Sequence, residues 1–192
     1  MPGYSYGIPA ERCKIGSLLR RIKGSTCSKC YALKGMYVFP VVQAAQERRY
    51  QILMADLEAW TSNMTELIGR KLAKREKVFR WHDSGDIQSM EHLSAIVTIA
   101  KNLPDVRFWL PTRELGIVSK WIAIFGNLPT NLVVRLSGAM IGKKATKVGN
   151  LATSTVDANK GHGCIAYQQG GACGDCRACW DPTIENIDYP KH

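Results

Sequence analysis

A chain of 192 residues, 45% of them apolar, is long enough to bury one proper core. Its 26 Lys and Arg against 16 Asp and Glu leave a formal charge of +10, which attracts polyanions, nucleic acid first among them. No run of about 18 uncharged apolar residues exists to cross a bilayer. The start, Met1-Pro-Gly-Tyr-Ser-Tyr-Gly7, has neither the basic nor the apolar region of a secretory signal. The expected location is therefore the cytoplasm. Walker, Gly-x-Gly-x-x-Gly, Gly-x-Ser-x-Gly and His-Glu-x-x-His patterns are all missing, which removes the commonest nucleotide-binding and hydrolase readings.

In chain order, residues 1–35 read as a short extended segment followed by a long basic loop that holds Cys13, Cys27 and Cys30. From about Val41 to Arg75 apolar residues recur every three or four positions, as on a helix, with a break expected at Thr61-Ser-Asn63. Lys77–His82 reads as a strand, Gln88–Asn102 as a helix, Val106–Pro111 as a strand and Leu115–Phe125 as a helix. Asn131–Ser137 and Leu151–Val156 are further strands. Strand, loop and helix in regular alternation imply right-handed crossovers and a parallel sheet. A closed eight-unit barrel needs about 250 residues, so the expectation is α/β, a partial (β/α) barrel. One domain is expected. In it, 1–35 is a Cys-containing loop, 36–156 carries the βα units, and 157–192 is a Cys-rich, loop-like segment held by its ligands rather than by a core.

The seven cysteines fall into two groups with no thiol between Cys30 and Cys164. The later group is Cys164-x8-Cys173-x2-Cys176-x2-Cys179. Closely spaced thiols in a reducing compartment serve metals more often than disulfides, and four suit zinc or an iron–sulfur cluster. Successive Cys-x-x-Cys steps favour the cluster, because each sulfur then reaches a different iron. The earlier group, Cys13-x13-Cys27-x2-Cys30, offers three thiolates and would leave one iron of a cubane open. In the bland alternative, Cys13 is a small buried apolar residue. The two groups could also share one centre.

Ligands of parallel α/β folds bind beyond the carboxyl ends of the strands. Those ends carry His82, Asp83, Ser84, Gly85 and Asp86, then Thr112 and Arg113, then Arg135 and Ser137. Carboxylates there suit an ammonium group, and guanidinium forks suit a carboxylate or phosphate. The competing readings are a helix cap for Asp86 and a satisfied, semi-buried imidazole for His82. Trp81, Trp109 and Trp121 are expected in the core, and Trp180 is placed to shield a metal centre. The run Arg70, Lys71, Lys74, Arg75, Lys77 reads as solvated surface or, with Lys143, Lys144 and Lys147, as a nucleic-acid face.

Four segments together resemble the phage-encoded gene product 88 family: Cys27-Ser-Lys-Cys30-Tyr31-Ala32, Arg80-Trp-His-Asp-Ser-Gly-Asp86, Phe108-Trp109 with Pro-Thr-Arg113, and Cys173-x2-Cys176-x2-Cys179-Trp180. That family in turn resembles small radical S-adenosylmethionine proteins. The resemblance implies one or two [4Fe-4S] clusters on the seven cysteines, with zinc as the alternative metal. It further implies S-adenosylmethionine held near Asp83, Ser84, Gly85, Asp86, Arg113 and Arg135. The sequence departs from the Cys-x3-Cys-x2-Cys pattern of such enzymes, because Lys23 stands four residues before Cys27. Cys13 would have to supply the third ligand from further upstream. The expected function is an iron–sulfur protein of radical-enzyme-like architecture acting on nucleic acid or a nucleotide, in the host cytoplasm. The rival is a non-catalytic iron–sulfur or zinc protein whose degenerate barrel binds nucleic acid or a host protein.

Overall fold

A computed structural model describes residues 2–191. Seven strands form one sheet: β1 (Tyr4–Tyr6), β2 (Val78–Trp81), β3 (Arg107–Thr112), β4 (Leu132–Ser137), β5 (Ala152–Val156), β6 (His162–Gly163) and β7 (Asn186–Tyr189). Every pairing is parallel and the order is β1-β2-β3-β4-β5-β7-β6, so the sheet is an open, partial barrel. Five α-helices accompany it: α1 (Lys14–Leu19), α2 (Pro40–Ala55), α3 (Leu57–Leu72), α4 (Met90–Asn102) and α5 (Leu115–Phe125).

Alternation along the strands sorts side chains onto two faces. Phe79, Trp81, Phe108, Leu110, Leu132, Val134 and Leu136 face outward into the main core, where Trp60, Ile68, Leu93, Ile96, Val118 and Trp121 of the helices meet them. The other face is concave. Val78 and Trp109 pack there against Trp180, flanked by Cys179 and Tyr189. Trp180 is buried, lies edge-on to Trp109 at 5.3 Å between centroids, and donates its indole N–H to Phe79 O at 2.9 Å. Trp180 plugs the inside of the barrel, beside Cys179.

The long helical stretch breaks five residues earlier than its Thr61-Ser-Asn63 cluster suggests. Asp56 is extended and its carboxylate accepts from Ala59 N at 2.9 Å, capping α3. Thr61 continues the helix, because its hydroxyl donates to Leu57 O one turn back at 2.6 Å. The cap of α4 is Ser89, which accepts from His92 N, so Asp86 is no helix cap.

The C-terminal segment is only partly as expected. Residues 164–177 contain nothing buried, yet Ala178, Trp180 and Ile187 are core residues and β7 inserts between β5 and β6. Arg135, fully buried on β4, holds this segment. Its guanidinium donates to the carbonyls of Cys179, Ala178, Asp181 and Ile184 at 3.0, 2.8, 2.7 and 2.7 Å, and to Thr153 O at 3.4 Å. All five N–H donors of the group are therefore engaged by backbone. Arg135 is a clasp between strand and tail, and it does not line the pocket below.

Gly85 shows how tightly the strand ends are folded. Its φ is +82°, and an added Cβ would lie 2.3 Å from Ile8 Cγ1. Gly85→Ala is expected to destabilise the protein by roughly 2–4 kcal/mol, from left-handed strain plus overpacking, read as a lower urea midpoint.

Candidate functional site

Past the carboxyl ends of β2, β3, β4, β5 and β7 lies a pocket of about 560 Å³. Its wall includes Cys13, Cys27 and Cys30, the turn Asp83-Ser84-Gly85-Asp86, Arg80, Arg113, Ser137, Ser154 and Tyr189. A shallower groove between α3 and α4, lined by Glu58, Thr61, Glu66, Glu91 and Thr98, holds no cysteine.

Separate anchors bring the thiols to one place. Lys14 Nζ donates to Gln88 O at 2.6 Å and Ile15 N to Glu114 Oε1 at 3.0 Å, which docks α1, and with it Cys13, on the loops after β2 and β3. Thr26 N donates to Ala139 O at 2.9 Å, and Thr26 Oγ1 donates to Gly138 O at 2.9 Å while accepting from Arg113 Nη2 at 2.7 Å. That ties Cys27 to the ends of β3 and β4. Gly16 closes the arrangement: a methyl group there would lie 3.6 Å from Cys13 Sγ and 3.7 Å from Cys27 Sγ. The space a side chain would fill is left to the sulfurs. Cys30 follows one turn after Cys27, its N–H donating to Cys27 O at 3.2 Å. The Cys13 thiol feels the charge of Cys27 and Cys30, and the Cys27 thiol that of Cys30. Burial pushes Cys13 and Cys27 up; Asp86 and the neighbouring thiols add to this, and Arg113 opposes it. Thiols raised in this way remain protonated until a cation or cluster compensates the thiolate charge.

The carboxylates divide the work. Asp86 is buried, and its oxygens accept from Thr112 Oγ1 at 2.6 Å, Ile87 N at 2.8 Å and Arg113 N at 2.9 Å. It brackets the ends of β2 and β3, and burial outweighs these bonds and lifts its pKa to about 6. Asp83 is less committed. Tyr37 OH donates to its Oδ2 at 3.5 Å, and Tyr31 OH donates to its backbone carbonyl. Arg113 uses Nε and Nη2 on Thr26. Arg80 lies over the Trp109 ring at 4.5 Å and donates to Tyr31 OH at 3.1 Å. Sequence patterns did not single out Arg80, Tyr37, Thr26 or Tyr189 for this site. The period-2 alternation of β2 could have found Arg80, since it shares the concave face with Val78.

His82 kinks the chain at the end of β2 with φ 52°. It is 3% exposed, and both its ring nitrogens, like Ser84 Oγ and Trp109 Nε1, are buried without a hydrogen-bond partner among the described residues. All three residues line the pocket; Trp81 Nε1 and His92 Nε2, which lie outside it, are likewise buried without a hydrogen-bond partner among the described residues. His82 is thus neither semi-buried nor satisfied.

His82 packs edge-on to His92 at 5.4 Å, with Tyr6, Trp81 and the Arg80 charge around it. Burial holds His92 down at about 3 and His82 well below 6.5. As pH falls below 6.5 the unfolded chain protonates both rings while the folded chain does not, so acid favours unfolding. Asp86 acts oppositely between about 6 and 3.8, but one carboxyl is outweighed by two imidazoles. The melting temperature is expected to be lower near about pH 5 than near about pH 7, and His92→Gln should flatten that slope.

The second thiol group lies on the tail, and all four of its cysteines are half-buried. Cys179 Sγ is 3.4 Å from Tyr189 OH, and Cys176 Sγ is 3.9 Å from His162 Nε2. Burial raises the Cys179 thiol, and Cys164 is near enough to add to the effect. Among the described residues no three His, Cys, Asp or Glu side chains stand at the spacing of one bound ion. The basic run, read as solvated surface or as a nucleic-acid face, is partly neutralised: Arg70, Lys77 and Lys147 pair with Glu66, Asp105 and Glu185 at 3.1, 3.1 and 3.0 Å.

A family profile described as Gene product 88 matches residues 1–163. The chain belongs to the gene product 88 family. No curated protein and no solved structure matches it. The family match takes in Cys13, Cys27, Cys30 and the Asp83–Asp86 turn, and stops before Cys164, Cys173, Cys176 and Cys179. Of the four segments that resemble gene product 88, the Cys173–Trp180 one lies outside it. No helix is long and apolar enough to cross a membrane among the described residues.

Proposed function

We propose that Cys13, Cys27 and Cys30 hold an iron–sulfur cluster in this pocket and that a small ligand binds beside it. The observation that carries the reading is the convergence of Cys13 with the distant Cys27-Ser-Lys-Cys30 pair on one pocket wall, where Gly16, lacking a side chain, leaves room beside the Cys13 and Cys27 sulfurs. A cubane with three protein ligands keeps one iron open and supplies Lewis-acid and one-electron chemistry there.

The chain's own residues bind and orient. Asp83, the carboxylate with capacity to spare, suits an ammonium group. Arg113 and Arg80 suit a carboxylate or phosphate. His82, held neutral by burial, and Ser84 offer hydrogen bonds. S-adenosylmethionine, implied by the resemblance to radical enzymes, has both an ammonium and a carboxylate and matches this set. Asp86 contributes by bracing the strand ends, and Arg135 by holding the tail. The plugged concave face leaves the ligand only the strand-end side.

Anaerobic determination of iron, sulfide and zinc tests the reading. About four irons and four sulfides per chain are expected for the three-thiol site, and about eight of each if the tail cysteines hold a second cubane. A chain that carries zinc and no sulfide sinks it. Addition of S-adenosylmethionine should perturb the spectrum of the reduced cluster; no response leaves the non-catalytic cluster protein as the better reading.

A further inference from the structure

We propose that segment 14–41, the wall that carries the pocket thiols, is a binding surface for single-stranded nucleic acid. The inference deepens the reading of the pocket as a reaction centre, and rests on it only for where one nucleotide of the strand is placed. Between Glu11 and Glu47 the chain has no carboxylate and seven cations: Arg12, Lys14, Arg20, Arg21, Lys23, Lys29 and Lys34. Arg12 is paired with Glu47, and Lys14 and Arg20 donate to backbone carbonyls. Arg21, Lys23, Lys29 and Lys34 are exposed and form no ion pair among the described residues.

The same segment exposes apolar side chains that no core explains. Met36, Phe39 and Val41 are 67%, 57% and 75% exposed, and Leu18, Ile22 and Tyr31 are also open to solvent. Cations interleaved with aromatic and apolar side chains are what a polynucleotide needs. Phosphates take the Lys and Arg, and unstacked bases take the flat or flexible apolar groups. A duplex hides its bases from such contacts. An anionic bilayer is the less suitable partner, since its ligands present one continuous amphipathic helix face. Here α1 has six residues, and Tyr31–Leu33 and Gly35–Val38 are short 3-10 turns. The surface also runs into the pocket. Arg20, Lys29 and Tyr31 line it together with Arg80, Arg113 and Lys191, against the two carboxylates Asp83 and Asp86. Of those, Asp86 is already committed to three donors.

The test is fluorescence anisotropy with a labelled oligonucleotide of about 15 bases over a range of salt, on anaerobically purified protein. A log–log salt slope of about −3 is expected for four phosphate contacts on a single strand. Lys23→Ala/Lys29→Ala/Lys34→Ala should lower the slope by about 2 and weaken binding about tenfold or more. Phe39→Ala/Met36→Ala should weaken oligonucleotide binding about fivefold and leave heparin binding unchanged. The proposal is overturned if a duplex of equal length binds as tightly as the single strand, if heparin is affected equally by the apolar variant, if anionic vesicles bind in place of the oligonucleotide, or if nothing binds. All five substituted side chains are exposed, so the variants are expected to fold. Iron is measured on the same sample: iron-free protein that still binds the strand removes the cluster reading and leaves this one standing.

Discussion

Cys13→Ser is expected to remove about four irons from the anaerobically purified protein, as much as Cys27→Ser or Cys30→Ser removes. The size of the effect follows from ligand count. A cubane already held by three thiolates has no spare protein ligand, and a serine hydroxyl is a far poorer ligand for iron than a thiolate. The result decides between two roles for a half-exposed cysteine at the start of α1. As an apolar filler, Cys13 would tolerate serine with a modest loss of stability and full iron content. As a ligand, it would show its loss in the visible thiolate-to-iron absorption while the far-UV spectrum stayed unchanged. Gly16→Val probes the same point from the other side. Its side chain would enter the space between Cys13 Sγ and Cys27 Sγ and should lower iron content without touching a cysteine. Full iron in both variants would overturn the three-thiol site.

Arg135→Met should be the most damaging single change outside the pocket. It removes the guanidinium donor from the carbonyls of Thr153, Cys179 and Ile184, and one of two donors from those of Ala178 and Asp181, which still accept from Asp181 N and Ile184 N. A buried acceptor left unpaired costs about 1–3 kcal/mol, so losing several guanidinium bonds together takes a large share of the stability of a domain of this size. The expected result is a chain that is largely unfolded, or one whose tail beyond about residue 178 is cut rapidly in limited proteolysis. Arg135→Lys, with a point charge and three donors, should restore only part of the loss. A methionine variant within about 1 kcal/mol of the parent in urea would show that water replaces the guanidinium, and the clasp would fall.

Much of this protein can be read without its structure. Period-2 runs such as Val106–Pro111 and Asn131–Ser137, separated by helical runs, lead to the parallel sheet, because crossover geometry leaves few alternatives. The Asp83–Asp86 turn and Arg113 follow as strand-end residues by the same rule, and both line the pocket. Two bracing roles, those of Arg135 and Asp86, are not legible in the sequence, for one reason. Arg135 and Asp86 carry the residue types of ligand-binding groups, but a side chain's partners depend on what packs across from it. For Arg135 that is a tail 43–49 residues away, and for Asp86 the end of the next strand. Thr61 and Asp56 differ for a local reason: a hydroxyl can bond back to its own helix, and a carboxylate at an extended residue caps the next one.

The Cys-x-x-Cys pairing, the lack of any carboxylate between Glu11 and Glu47, and the alternation of strands and helices belong to the sequence alone, since each is a matter of spacing and charge along the chain. Only the tertiary structure decides that Cys13 reaches Cys27 and Cys30. Thirteen residues lie between Cys13 and Cys27, and nothing local makes the two meet. Their meeting depends on Lys14 finding Gln88, Ile15 finding Glu114, and Thr26 finding Gly138 and Arg113. These are contacts between loops that the parallel sheet brings to one end of the molecule.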